Sequence, residues 1–284
     1  MADTDAFRAA YDAVLAKWPE GTATRTVPTP FGRTHVTVHG PAGGAPLVLL
    51  PGGGATGLSW FANAAELSRA HRVFAVDLIG DPGRSVPAPE RPIRTVTDLT
   101  AWLDALLDGL KIPAADLGGH SYGAWIALHY ALRAPGRVRR LVLLDPTRCF
   151  AGFRPGYLLR ALPTLLRPSA RATRAFLAWE AGGAPLDADW LALQERAADF
   201  PAVRPVTGPR PAPAALRTLR PPALVLLAER SRVHDVREVA SRAAALLPDA
   251  TVATLPGVSH HALPHARPAE LDRAVGEFLF RTAV

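Results

Sequence analysis

The chain has little of what would tie it to an oxidising compartment, a metal or a membrane. Its 284 residues include a single cysteine, Cys149, which excludes an internal disulfide framework and any multi-cysteine metal site and is expected to be a buried, inert thiol. No apolar run approaches the roughly 18–20 residues that span a bilayer, so no membrane contact is expected. The opening residues, Met1-Ala2-Asp3-Thr4-Asp5, are acidic and lead into an amphipathic segment over 7–18. This is the opposite of a basic region ahead of an apolar leader, so no signal peptide and a cytoplasmic location are expected. Lysine is nearly missing: Lys17 and Lys111 are the only two, and the net charge of +7 and pI near 10.4 rest on scattered arginines. Without a basic stripe or an interleaved aromatic motif, no nucleic-acid partner is expected. There is no internal repeat.

What is present is enough apolar material for one large core, 49% of the residues. Residues 34–38 alternate and read as a half-buried strand. Continuous apolar runs at 47–50, 73–76, 141–144 and 223–227 suit strands covered on both faces. Helical patterns fall between them, at 60–69, 96–110, 125–133, 236–247 and 268–281. Strand alternating with helix predicts an α/β protein with a doubly wound, mostly parallel sheet. The stretch 148–216 breaks the rhythm with prolines, glycine-rich joints and helical pieces at 157–166, 170–180 and 187–198. It reads as an inserted helical lid, leaving 1–147 and 217–284 as the core domain, and it should hang over the carboxyl edge of the sheet, where ligands bind in such folds.

Gly119-His120-Ser121-Tyr122-Gly123 sets a serine between two glycines, directly after a short strand at 115–117 and before a helix. A sharp strand-to-helix turn needs small flanking residues, and it lifts the serine hydroxyl above the sheet edge at a helix N-terminus, where negative charge is favoured. Upstream, Pro51-Gly52-Gly53-Gly54-Ala55-Thr56-Gly57 follows the strand at 47–50. Its Gly52-x-Gly54-x-x-Gly57 spacing matches a dinucleotide-binding fingerprint, with Asp77 where a ribose-binding acid would sit. A serine hydrolase would use the same glycines differently: the N–H groups of Gly53 and of Tyr122 would receive an oxyanion. Near the C-terminus, Leu255-Pro256-Gly257-Val258-Ser259-His260-His261 follows the last strand, and His260 can return to Ser121 as general base, with His261 and His265 as adjacent alternatives. The three histidines lack the helical spacing and acid of a zinc site, so no metal is expected.

These motifs together resemble the α/β-hydrolase fold superfamily, and within it the lid-bearing serine esterase and lipase-like group, over about residues 24–280. The turn at Pro51–Gly54 is similar to that group's oxyanion loop, although the loop commonly opens with histidine. Residues 72–85 look like its next strand and glycine turn, which makes Asp77 structural. One departure stands out. The group's triad acid usually lies just after the strand at 223–227, where this chain reads Ala228-Glu229-Arg230-Ser231 with serine at the acid position. Some members carry the acid one strand earlier, which points to Asp145, with Glu229 and Asp235 as alternatives.

The resemblance implies a cofactor-free enzyme that cleaves a carboxylic ester, thioester or lactone through an acyl-enzyme. Ser121 would be the nucleophile, His260 the base, Asp145 its orienting acid, and Gly53 and Tyr122 the oxyanion donors. The substrate would be a small acyl compound held in an apolar pocket lined by the insertion's Phe150, Phe153, Tyr157, Phe176, Trp179, Trp190 and Phe200. The unusual acid position also leaves open a non-hydrolytic member of the fold: a lyase, cyclase, acyl transferase or ligand-binding protein.

Overall fold

The computed structural model describes residues 4–200 and 205–280. Among these, nine strands form one sheet: β1 (Ala23–Thr29), β2 (Gly32–His39), β3 (Ala45–Leu50), β4 (His71–Val76), β5 (Val86–Pro87), β6 (Ala115–His120), β7 (Val138–Leu144), β8 (Ala223–Ala228) and β9 (Ala250–Leu255). The order is β1-β2-β4-β3-β6-β7-β8-β9, with the two-residue β5 beside β2. From β4 to β9 all pairings are parallel, and β1–β2, β2–β4 and β2–β5 are antiparallel.

The described helices are α1 (Thr4–Leu15), α2 (Ala64–Leu67), α3 (Val96–Gly109), α4 (Tyr122–Arg133), α5 (Pro155–Leu166), α6 (Ala170–Ala181), α7 (Ala188–Ala197), α8 (Pro213–Leu216), α9 (Val236–Leu246) and α10 (Pro268–Leu279). Helices cover both faces of the sheet, which is why the central strands are apolar at successive positions. In β3, Val48 and Leu50 join the core that also holds Trp102, Leu106 and Ile126 of α3 and α4. Leu47 and Leu49 join the opposite core with Tyr11 of α1 and Leu271 and Phe278 of α10. Each such aliphatic side chain contributes roughly 1.5–3 kcal/mol relative to exposure.

The sequence expectations need three corrections here. Residues 60–69 do not form one helix: a 3₁₀ turn at Gly57–Trp60 is followed by the four-residue α2, and between them Asn63 turns inward so that its Nδ2 donates to Asp272 of α10 at 2.8 Å. β1 has no counterpart in the apolar pattern because nearly all of it lies on an exposed edge. The last helix ends at Leu279, and the expected end at Arg281 lies outside the described residues.

Helices α5 to α8 all lie between β7 and β8, in the stretch where the insertion was expected. Phe176, Leu177, Trp190 and Ala161 build a small core of their own, with Tyr157 and Trp179 packed against it. Phe150 joins the main core instead, and Phe200 packs on Phe7 of α1 with ring centroids 4.5 Å apart. Lys17, just past α1, ties down the start of α7, its Nζ 2.6 Å from Asp187 and 2.8 Å from Asp189.

Candidate active site

The two glycines of the serine turn are fixed by contact. A Cβ on Gly119 would stand 2.3 Å from the Gly123 carbonyl carbon, and one on Gly123 would stand 2.4 Å from the Pro51 oxygen. Between them Ser121 takes φ 54 and ψ −113, a region that non-glycine residues rarely occupy. Two backbone bonds hold it there: Ser121 N donates to Leu144 O at 2.9 Å, and Trp125 N donates to Ser121 O at 3.1 Å. Ser121 is therefore the N-cap of α4, with its hydroxyl at the carboxyl end of β6.

His260 lies on the loop after β9. Its Nε2 is 2.8 Å from Ser121 Oγ, and its Nδ1 is 2.6 Å from Asp145 Oδ2. Asp145 follows β7 at φ 41, with its N–H donating to Leu226 O at 2.8 Å. Its carboxylate is completely buried and accepts three further hydrogen bonds, from Ser231 Oγ at 2.7 Å, His234 Nε2 at 3.1 Å and Ala228 N at 3.1 Å. Burial alone would raise this carboxyl. The hydrogen bonds from His234 and His260, and the charges of those rings, outweigh it and hold Asp145 well below the usual carboxylate range. An ionised carboxylate can only accept, so His260 carries its proton on Nδ1 and turns the Nε2 lone pair toward the serine hydroxyl.

The other acids considered do not reach the imidazole. Glu229 accepts from Gly257 N at 2.7 Å, and Asp235 caps α9 by accepting from Arg237 N and Glu238 N. Ser231, at the position expected for a carboxylate, instead donates to one. The alternative histidines are also engaged elsewhere. His261 Nε2 lies 3.1 Å from the Tyr157 hydroxyl, and His265 packs between Phe61 and Trp190. Among the described residues no group of three His, Cys, Asp or Glu side chains is arranged to hold a metal. Cys149 is buried, and burial pushes its thiol up.

The glycine turn lies flat against the start of α4. A Cβ on Gly53 would be 3.5 Å from Tyr122 Cβ, and one on Gly52 would be 3.5 Å from Ser121 Cβ. The turn is held by Ala55 N donating to Gly52 O at 3.1 Å and by Gly54 N donating to Asp81 Oδ2 at 3.0 Å. Burial pushes Asp81 up to about 6, against that hydrogen bond. Asp77 is spent on the fold: its carboxylate, 1% exposed, accepts from Tyr11 Oη, Gly57 N and Arg84 N and is closed off from a ribose. The dinucleotide reading fails on this point.

Three supporting residues carry no signal that the sequence reading used. Glu180, near the end of α6 in the insertion, is 1% exposed and accepts from His260 N at 2.9 Å, His261 N at 3.0 Å and Ser259 Oγ at 2.9 Å. It therefore holds the histidine loop from the insertion side. His234 braces Asp145. His120 Nε2 lies 3.0 Å from the His260 carbonyl, which can only accept, so the proton is on Nε2; burial lowers this ring to about 3 and keeps it neutral. A findable signal existed for Glu180, the first carboxylate after Asp145 in an arginine-rich stretch.

A cavity of about 320 Å³ opens beside Tyr122, lined by Leu78, Ile79, Asp81, Ile93, Ile126 and Val206 among others. A second, of about 370 Å³, is lined by Gly21, His39, Gly40, Ser68 and Arg72 and lies at the amino end of β4, the opposite edge of the sheet from Ser121. Only the first adjoins the site. Among the described residues no helix is long and apolar enough to cross a membrane.

The model of the alpha/beta hydrolase family matches residues 47–274. In sequence the chain is 34% identical to the carboxylesterase YbfK of Bacillus subtilis over 176 residues, 62% of this chain but 58% of that protein. It is 30% identical to the uncharacterized carboxylesterase nap of the same organism over 280 residues, 94% of this chain and 90% of that protein. The crystal structure of the YbfK carboxylesterase superposes with a TM-score of 0.91 at 27% identity over 98% of both chains. That of the naproxen esterase of Bacillus subtilis gives 0.90 at 27% identity, covering 98% of this chain and 99% of the other.

Proposed function

Because this chain belongs to the alpha/beta hydrolase family, we propose that it is a serine hydrolase that cleaves a carboxylic ester, thioester or lactone through an acyl-enzyme. The observation that carries the reading is the unbroken contact from Ser121 Oγ through both nitrogens of His260 to Asp145, at 2.8 and 2.6 Å. The likeness to carboxylesterases over nearly the whole chain supports the class of bond. As Ser121 Oγ attacks the acyl carbon, His260 Nε2 takes its proton and Asp145 stabilises the imidazolium that forms. The N–H groups of Gly53 and Tyr122 receive the developing oxyanion, the latter helped by the dipole of α4. The leaving alcohol or thiol takes the proton from Nε2, and water then repeats the sequence on the acyl-enzyme. No cofactor enters any step.

Residues 148–216 act as a lid over the core formed by 1–147 and 217–284, and the apolar cavity beside Tyr122 takes a hydrophobic part of the substrate. The non-hydrolytic alternative was motivated by serine at the usual acid position. It loses that motive once Asp145 stands within hydrogen-bond distance of His260.

The test is intact-protein mass spectrometry after a fluorophosphonate probe, on wild type and Ser121→Ala, with hydrolysis of short p-nitrophenyl esters alongside. One adduct and turnover in wild type, both missing in Ser121→Ala, are expected. An unlabelled, inactive wild type would overturn the proposal.

A further inference from the structure

The insertion carries a surface that the chemistry at Ser121 does not use. Between Asp145 and Glu180 the sequence has six arginines and no Asp or Glu. Helix α5 sets Ala161, with Tyr157 and Thr164 partly buried, toward the protein. Its outer side is leucine: Leu158, Leu159, Leu162, Leu165 and Leu166 are 43, 71, 41, 67 and 75% exposed. At about 100° per residue these five share an arc of roughly 120°, and Arg160 and Arg167 lie together on its flank. Two of the six arginines are paired, Arg154 with Asp235 and Arg174 with Glu195. Arg160 packs over the Trp179 ring at 5.9 Å. Arg167 and Arg171, exposed at the turn into α6, have no acidic partner among the described residues.

A leucine face flanked by unpaired arginines suits a helix lying in the plane of a lipid surface, with the apolar side sunk among acyl chains and the cations at headgroup level. We propose that α5 and the turn into α6 dock the protein on a bilayer containing anionic lipid. Charge selects this occupant. A second copy of the chain would set one arginine-rich face of a +7 molecule against another, and a neutral surface would leave the arginines unmatched. On the inner side of α5, Tyr157 sits against His261, so docking holds the lipid surface directly over the insertion that braces the histidine loop. Esters dissolved in that surface are then the substrates at hand. This last point rests on the esterase reading, whereas the docking does not.

Co-sedimentation of the full chain with phosphatidylglycerol or phosphatidylcholine vesicles tests it. Wild type should pellet with phosphatidylglycerol at about 0.1 M salt, bind phosphatidylcholine far less, and be released at about 1 M, where screening shortens to roughly 3 Å. The double variants Leu159→Asn/Leu166→Asn and Arg167→Ser/Arg171→Ser should each bind about tenfold or more weakly while keeping wild-type circular dichroism and p-nitrophenyl ester turnover. Equal binding by wild type and the leucine variant, or no binding by wild type, overturns the proposal. So does a wild-type dimer that the leucine variant dissolves, which gives the face to a second copy. An inactive wild type that still binds vesicles would sink the esterase reading alone.

Discussion

Replacing Asp145 by asparagine should abolish most turnover, and the hydrogen bonds around the carboxylate determine how. Oδ1 accepts from Ala228 N and His234 Nε2, and Oδ2 accepts from Ser231 Oγ and His260 Nδ1. An asparagine amide must put its NH₂ at one of these places. At Oδ1 it would face the backbone N–H of Ala228, a donor that cannot turn away. At Oδ2 it would face a hydroxyl that can rotate to accept and an imidazole that can change tautomer. The amide therefore settles at Oδ2, the Nδ1 of His260 becomes an acceptor, and Nε2 carries the proton toward Ser121. An imidazole in that tautomer cannot take the serine proton. The expected loss in kcat is about 10³–10⁴-fold, or ~4–5.5 kcal/mol of transition-state stabilisation. Folding should lose only ~1–3 kcal/mol, because the adjustable partners keep their hydrogen bonds.

The assay is steady-state hydrolysis of p-nitrophenyl acetate, with thermal melting to confirm the fold. Glu229→Gln and Asp235→Asn serve as controls and should stay within about twofold of wild type, since neither carboxylate touches His260. Asp145→Asn with kcat within about tenfold of wild type would refute the argument and remove Asp145 from the proposed triad.

Two further substitutions probe buried carboxylates outside the proposed triad. Glu180→Gln cannot settle as Asp145→Asn can, because each carboxylate oxygen faces a backbone N–H, His260 N on Oε1 and His261 N on Oε2. The amide must meet a fixed donor either way, so we expect ~2–4 kcal/mol lower stability and kcat about 10–100-fold lower with KM for a small ester unchanged. Unchanged kcat and melting temperature would show that the insertion does not hold the histidine loop. Asp272 is pushed up to about 7 by burial. Because its folded pKa lies above the unfolded one of about 3.9, the charged carboxylate costs stability above pH 7, and the cost fades as pH falls through 7 toward 4. Asp272→Asn keeps an acceptor for Asn63 and should stabilise the protein by about 2–4 kcal/mol at pH 8 and by little at pH 4.5. A melting difference independent of pH would contradict this.

Those residues also mark how far the sequence could be read. Ser121 was legible because steric need writes itself as glycine on both sides, and the central strands were legible because burial on both faces writes itself as unbroken apolar runs. The edge strand β1 was not, since exposure leaves no hydrophobic period to find, and the helix expected over 60–69 was broken by a tie from Asn63 to Asp272, 209 residues away. Glu180 was missed for the same reason. Its three partners lie about 80 residues downstream, so its place as the first carboxylate after Asp145 marks it as unusual without showing what it binds until the fold brings the histidine loop onto it.

The ambiguity between Asp145 and the position of Ser231 has a physical origin in the sheet. β7 and β8 are parallel neighbours in register, Leu144 opposite Leu226, so the residue that ends one strand and the turn that follows the other converge on the same space above the sheet edge. Ser231 Oγ and Asp145 Oδ2 are 2.7 Å apart. A carboxylate launched from either strand can therefore place an oxygen at His260 Nδ1, and the residue at the other position has only to donate to it. Periodicity along one strand cannot reveal which arrangement a chain uses, because the deciding contact joins the ends of two strands, between residues 86 apart in sequence. The serine is then no sign of a lost triad. It supplies one of the donors that keep a fully buried Asp145 ionised, a condition the proposed chemistry at His260 requires.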